Sequence, residues 1–134
     1  MGPPSVVDRL RTALSAESGI ACAWLFGSRA RGEARADSDV DVAVLLDRDP
    51  APTLSGSGVR LAGELERVVG ATVDLIVLNR APVDLVHRVL RDGILLLDRD
   101  PAARVRFEVA SRNAWFDLKP ILDRYRGAAG GVRG

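Results

Sequence analysis

The alternation of apolar and polar positions divides the chain into strand-length runs and helical stripes. Ser5, with Asp8 three residues on, resembles a helix-capping box, and Val6, Val7, Leu10, Ala13 and Leu14 follow at helical spacing until Gly19. Ile20 to Phe26 is a short apolar run of strand length halted by Gly27, and Val40 to Leu46 is a second strand candidate entered through Ser38 and Asp39. Prolines, glycines and hydroxyl residues make Asp47 to Gly58 the most loop-like stretch. Leu61, Ala62, Leu65, Val68 and Val69 mark one face of a helix that Gly70 ends, and Thr72 to Leu78 reads as a β-branched third strand. Pro82 opens a short helix carrying Val83, Val86, Val89 and Leu90, which Gly93 closes before a fourth strand at Ile94 to Leu97. Asp100 and Pro101 supply an N-cap and a first-turn proline for a long final helix. Pro120 is expected to kink or break it, and residues 127–134 read as a flexible glycine-rich tail.

Strands alternating with helices argue for an α/β domain of two or three layers, spanning residues 1–126 as a single unit. The composition changes this picture little. The formal net charge is +1, so no global field points to nucleic acid or an anionic membrane. Cys22 is the only cysteine, which excludes an intrachain disulfide and argues against a cysteine-based metal site. The first residues lack a basic region followed by an apolar stretch, and no apolar run approaches membrane-spanning length, so a cytoplasmic location is expected.

The candidate chemistry lies at the strand ends. Asp39 and Asp41 are two apart at a strand entry, so period-two alternation places both carboxylates on one face, with Val40 and Val42 on the other. Like charges this close perturb each other unless a cation lies between them, and magnesium, an oxygen-seeking ion, is the natural choice. Asp74 lies inside an otherwise apolar strand, where a charge is costly without a partner. If the third strand lies beside the second, Asp74 faces the same site, and three convergent carboxylates suit two-metal phosphoryl or nucleotidyl transfer. Upstream, Phe26-Gly27-Ser28-Arg29-Ala30-Arg31-Gly32 follows a strand and is expected to open a short helix. Glycine lets the backbone approach a phosphate, helix-start N–H groups bind anions, and Ser28, Arg29 and Arg31 add donors. The string fits neither a Walker A loop nor a dinucleotide-binding fingerprint.

Taken together, Gly27-Ser28, ten intervening residues and Asp39-Val40-Asp41 resemble the signature of the polymerase-β-type nucleotidyltransferase superfamily. The fuller string through Asp37-Ser38-Asp39-Val40-Asp41 resembles its minimal (MNT) branch. Thr72-Val73-Asp74-Leu75-Ile76 resembles the family's third-acid strand, and Phe116 to Tyr125 resembles the C-terminus of MntA-type antitoxins. The resemblance implies a nucleotidyltransferase fold, a short mixed sheet flanked by helices with a C-terminal helix, using ATP and Mg2+ and releasing pyrophosphate. Carried over, Asp39, Asp41 and Asp74 would hold the two metals, Asp74 helping to deprotonate the acceptor. Gly27 and Ser28 would position the triphosphate, with Ser38 assisting. The resemblance further implies a HEPN-domain toxin as partner, with one of its tyrosines receiving AMP.

About 100 residues satisfy the catalytic fold, which leaves little chain for a second, acceptor-binding domain. An aminoglycoside-type enzyme would need more chain, a non-catalytic toxin-binding antitoxin would not need the intact acids, and a polymerase would need a basic groove. On the last helix, Phe107, Ala110, Ala114, Leu118, Ile121 and Tyr125 form a stripe expected to pack on the sheet. Trp115 and Phe116 fall off that stripe and are left for a partner, while His87 reads as a surface or rim residue and not a ligand.

Overall fold

The computed structural model describes residues 5–32, 39–48 and 55–132. Helix α1 (Val6–Ser15) starts where Ser5 Oγ accepts the Asp8 N–H at 3.1 Å. Strands β1 (Ile20–Phe26) and β2 (Val40–Leu46) follow, then α2 (Ser55–Val69), β3 (Val73–Val77) and a single 3₁₀ turn, Leu78–Arg80. Helix α3 (Val83–Asp92), strand β4 (Ile94–Asp98) and helix α4 (Pro101–Val132) complete the described chain.

The described strands form one mixed sheet in the order β3-β2-β1-β4. β1 runs antiparallel to both β2 and β4, and β2 runs parallel to β3. Alternation sorts the strand side chains into two cores, one on each face. Val40, Val42, Val44 and Leu25 pack with Leu10 and Leu14 of α1 and Leu61 and Leu65 of α2. Trp24, Ala43 and Leu45 pack on the opposite side with Val86 and Val89 of α3, and Phe107 of α4 leans on that cluster. Of the two layer counts the sequence allows, the helix pairs on opposite faces select three.

Side chains finish what the backbone ladder leaves open. Asn79 accepts the Leu46 N–H at 2.8 Å and donates back to the Leu46 carbonyl at 3.1 Å, standing in for a strand residue at the end of β2. Arg99 reaches the carbonyls of Leu14, Ser15, Glu17 and Ile20, satisfying the end of α1 and the turn after it. Arg11 covers carbonyls of Leu95 and Leu96 on the edge strand, both at 3.3 Å.

Three expectations change. Residues 55–58 are helical although they read as loop, because glycines cost least in a first turn whose N–H groups are unpaired in any case. Pro120 does not end α4: its exposed position lets water satisfy the Phe116 carbonyl that loses its helical partner. The helix then continues to Val132, so the backbone of residues 127–132 is helical where a tail was expected to begin. No helix among the described residues is long and apolar enough to cross a membrane.

Candidate active site

The register of the sheet decides which of the candidate residues meet. Asp41 pairs with Asp74 across the parallel β2–β3 ladder and with Phe26 across the antiparallel β1–β2 ladder. Direct neighbours in a sheet point to the same face, so the two carboxylates stand side by side. That face is the α3/α4 face, since Val40, Val42 and Val73 of the same strands are buried under α1 and α2. Asp39 stands at the mouth of β2, where the Val40 N–H donates to the Thr72 carbonyl at 2.8 Å and fixes the approach of the two strands. Asp39 and Asp74 are exposed and Asp41 is half-buried.

Electrostatics single out Asp41. Burial pushes its carboxyl above the ordinary value, the charges of Asp74 and then Asp39 push it further, and Arg31 opposes them. Among the described residues, no three acidic, histidine or cysteine groups close into a tight ligand set. The donor chemistry nonetheless fits a hard divalent cation: carboxylate oxygens only, crowded enough to repel, and accessible to an ion and its water.

Gly27 is tied to Asp41 by space as well as by backbone. Its φ of +75° belongs to the left-handed region, and a Cβ there would stand 2.2 Å from Asp41 Oδ2. Any larger residue would therefore swing the carboxylate off its place. From Gly27 the chain makes hydrogen-bonded turns: Arg31 N–H donates to the Gly27 carbonyl at 3.2 Å and Gly32 N–H to the Arg29 carbonyl at 3.4 Å. This is not the short helix expected there. Gly32, at φ +73°, turns the described chain out of helical geometry after one such turn. The turn sets Gly27 against Asp41 and keeps the charge of Arg31 in reach of it, but separates the two arginines. Arg31 acts on Asp41 and on Asp92, whereas Arg29 lines a hollow with Ser5, Val6, Val7 and Leu25 against α1, on the other face. Ser38 lies outside the described residues.

A second feature lies on the same face as the acids. His87 of α3 and Trp115 of α4 stack with ring centroids 4.0 Å apart and planes 7° from parallel. They wall a hollow of about 440 Å³ together with Leu90, Arg91, Arg112 and Phe116. His87 is thus on a rim, as expected, but as a stacking partner that no spacing rule indicates. Trp115 is half-buried in this stack, whereas Phe116 is 62% exposed. The stripe on α4 divides: Phe107, Ala114 and Leu118 are partly covered, while Ile121 and Tyr125, 44% and 75% exposed, extend past the layer beneath. Cys22 is buried, its thiol pushed up to about 12 by burial and then by Asp98, so it is inert and remote from this chemistry.

A strand-borne acid pair, a third acid on the neighbouring parallel strand and a glycine turn against them define a nucleotidyl-transfer architecture. Residues 8–102 match the family described as Polymerase beta, Nucleotidyltransferase, and the chain belongs to that family as a nucleotidyltransferase. Within it, the chain is 33% identical over 90 residues to the protein adenylyltransferase MntA of Thermococcus cleftensis, covering 67% of this chain and 88% of that protein. Its fold is similar to that of a chain in a toxin–antitoxin crystal structure with AMP-PNP, with a TM-score of 0.70 at 22% identity over 90% of this chain and 98% of that one. It is also similar to a chain in the structure of a tri-AMPylated HEPN toxin in complex with MNT antitoxin from Shewanella oneidensis. There the TM-score is 0.66 at 20% identity, covering 90% of this chain and 96% of that one.

Proposed function

We propose that this chain transfers AMP from ATP to a tyrosine hydroxyl of a HEPN-domain ribonuclease toxin and thereby neutralises it. The observation that carries the reading is the in-register pairing of Asp41 with Asp74 beside Gly27, with the charge of Asp39 also acting on Asp41. Asp39 and Asp41 would hold two Mg2+ ions, and Asp74 would share one of them. The ions would supply the positive charge that offsets negative charge building up on the entering and leaving oxygens. Gly27 and Ser28 present backbone and hydroxyl donors to the triphosphate, and Arg31, already within electrostatic reach of Asp41, offers a cation to it. Arg29 faces the other side and is not assigned to the phosphates, while Ser38 keeps its expected assisting role.

The tyrosine oxygen bonds to the α-phosphorus while the bond to the bridging oxygen of pyrophosphate breaks. The tyrosine proton passes to Asp74, which is exposed and able to hand it on to solvent. The acceptor comes from outside, docked along α4 through Trp115 and Phe116. MntA of Thermococcus cleftensis bears the name of a protein adenylyltransferase, and this supports a protein acceptor over a small molecule.

Intact-mass spectrometry of a HEPN toxin encoded beside this gene, incubated with the chain, ATP and Mg2+, tests the reading. The expected result is an increase of one or more AMP masses that requires Mg2+. A stable complex with no added mass would overturn it in favour of neutralisation by binding alone.

A further inference from the structure

The hollow between α3 and α4 is not needed to hold the nucleotide's phosphates, yet it opens on the catalytic face. Its α3 wall is the C-terminal half of that helix. The helix ends at Asp92 and Gly93, and a Cβ on Gly93 would meet the Val89 carbonyl at 2.4 Å and lie 3.4 Å from the Leu25 carbonyl and from Trp24. The end of α3 is thereby held against the end of β1 from which the Gly27 turn departs. Leu25 is two residues before Gly27, whose missing Cβ faces Asp41, so the α3 wall of the hollow ends on the stretch of β1 that leads to the acids.

The charges of the hollow do not cancel. Arg91 is spent on Asp92 through two hydrogen bonds of 2.9 Å, and Glu108, which also borders the space, is spent on Arg104 at 2.9 Å. Arg112 makes no ion pair among the described residues. What remains is one uncommitted guanidinium beside an aromatic wall formed by the His87–Trp115 stack and the exposed Phe116 ring. A flat ring can lie on such a wall, and a carboxylate can be gripped by the guanidinium.

Resting on the function proposed above, we propose that this hollow receives a toxin segment in which an aromatic side chain adjoins a carboxylate. Its aromatic ring covers Phe116 and the stack, its carboxylate pairs with Arg112, and the neighbouring tyrosine hydroxyl is delivered to the acids on the same face. Arg112 then selects the partner and takes no part in the transfer.

The test uses the full chain and two short synthetic peptides, each carrying a phenylalanine and a nearby tyrosine, the phenylalanine flanked by acidic residues in one and by lysines in the other. The indole resonances of Trp115 and of the buried Trp24 are followed by NMR. The acidic peptide should move Trp115, leave Trp24 in place, and bind about tenfold more weakly to the Arg112→Glu variant. Equal response to both peptides, or full affinity in Arg112→Glu, would overturn the assignment. So would a Trp115 shift produced by Mg-ATP alone, which would make the hollow a nucleotide site. A shift that depends only on protein concentration would likewise overturn it, making the hollow a self-association surface. Peptide binding should persist in the Asp39→Asn, Asp41→Asn double variant. Binding without AMP transfer by the native chain would sink the enzymatic reading alone, and transfer without binding would sink the hollow alone.

Discussion

The face of the sheet beneath α1 and α2 is closed along the length of β2, with leucines of both helices packed with Val40, Val42 and Val44. The face beneath α3 and α4 is closed over Ala21, Cys22, Trp24, Ala43 and Leu45, and at one end of β2 and β3 it opens onto carboxylates. Both faces belong to the same strands, so one residue along β2 separates a fully buried Val40 from a half-buried Asp41. The difference teaches that the sheet divides its labour by side-chain parity. One parity holds the domain together, and the other is free to carry charge because its helices leave one end uncovered.

The comparison can be broken at three points. The largest effect is expected from the Asp39→Asn, Asp41→Asn double variant, which removes the charges and keeps the shapes. AMP transfer measured by mass or by radiolabel should fall by about a thousandfold or more, while the circular dichroism is kept and the thermal midpoint does not drop below that of the native chain. Collapse of the fold in that variant would show that the open parity is structural after all. Leu65→Ala on the closed face should behave in the opposite way. Leu65 is fully buried, so denaturant unfolding should register a loss of about 2–5 kcal/mol, with transfer per folded molecule preserved. A specific loss of transfer at unchanged stability would refute the division.

The smallest effect concerns pH. Asp41 titrates above its ordinary value in the folded chain, so its ionised form is penalised by folding, and the penalty is present in full above that raised value. Asp41→Asn should therefore melt a few degrees higher than the native chain at neutral pH without added cation. The gap should close as pH falls through the raised value towards the ordinary carboxylate range. Adding Mg2+ at neutral pH should stabilise the native chain more than the variant. Parallel melting curves at every pH would show that the repulsion is not felt.

Much of this arrangement was legible before the structure, and the reasons are local. Glycine stops, β-branched runs and period-two alternation marked β1, β2 and β3 within a residue or two, and the polar residues at 39 and 41 stood out because their strand is otherwise apolar. Asp74 was legible only conditionally, since its meaning depends on β3 lying parallel and adjacent to β2, a long-range fact. What escaped the sequence is contact between distant residues. Asn79 imitating a strand at Leu46, Arg99 reaching four carbonyls around the end of α1, and His87 stacking on Trp115 leave no periodic trace. Arg29 and Arg31 were indistinguishable by spacing, because only the observed turn shows that Arg29 lines the hollow against α1 while the charge of Arg31 reaches Asp41. Pro120 was misjudged because the rule against helical proline weighs a lost hydrogen bond, and on an exposed helix water repays most of it.

The parallel register of β2 and β3 has a consequence in time as well as in space. Asp41 and Asp74 meet only after the chain has closed a loop through α2, which costs chain entropy before the contact forms. A slip of one residue would turn both aspartates inward against leucine and valine, so a misregistered sheet is penalised and reverts. A nascent or half-unfolded chain in which β3 has not yet joined β2 therefore lacks the paired aspartates that the proposed function requires, and the onset of AMP transfer would report the completion of that ladder.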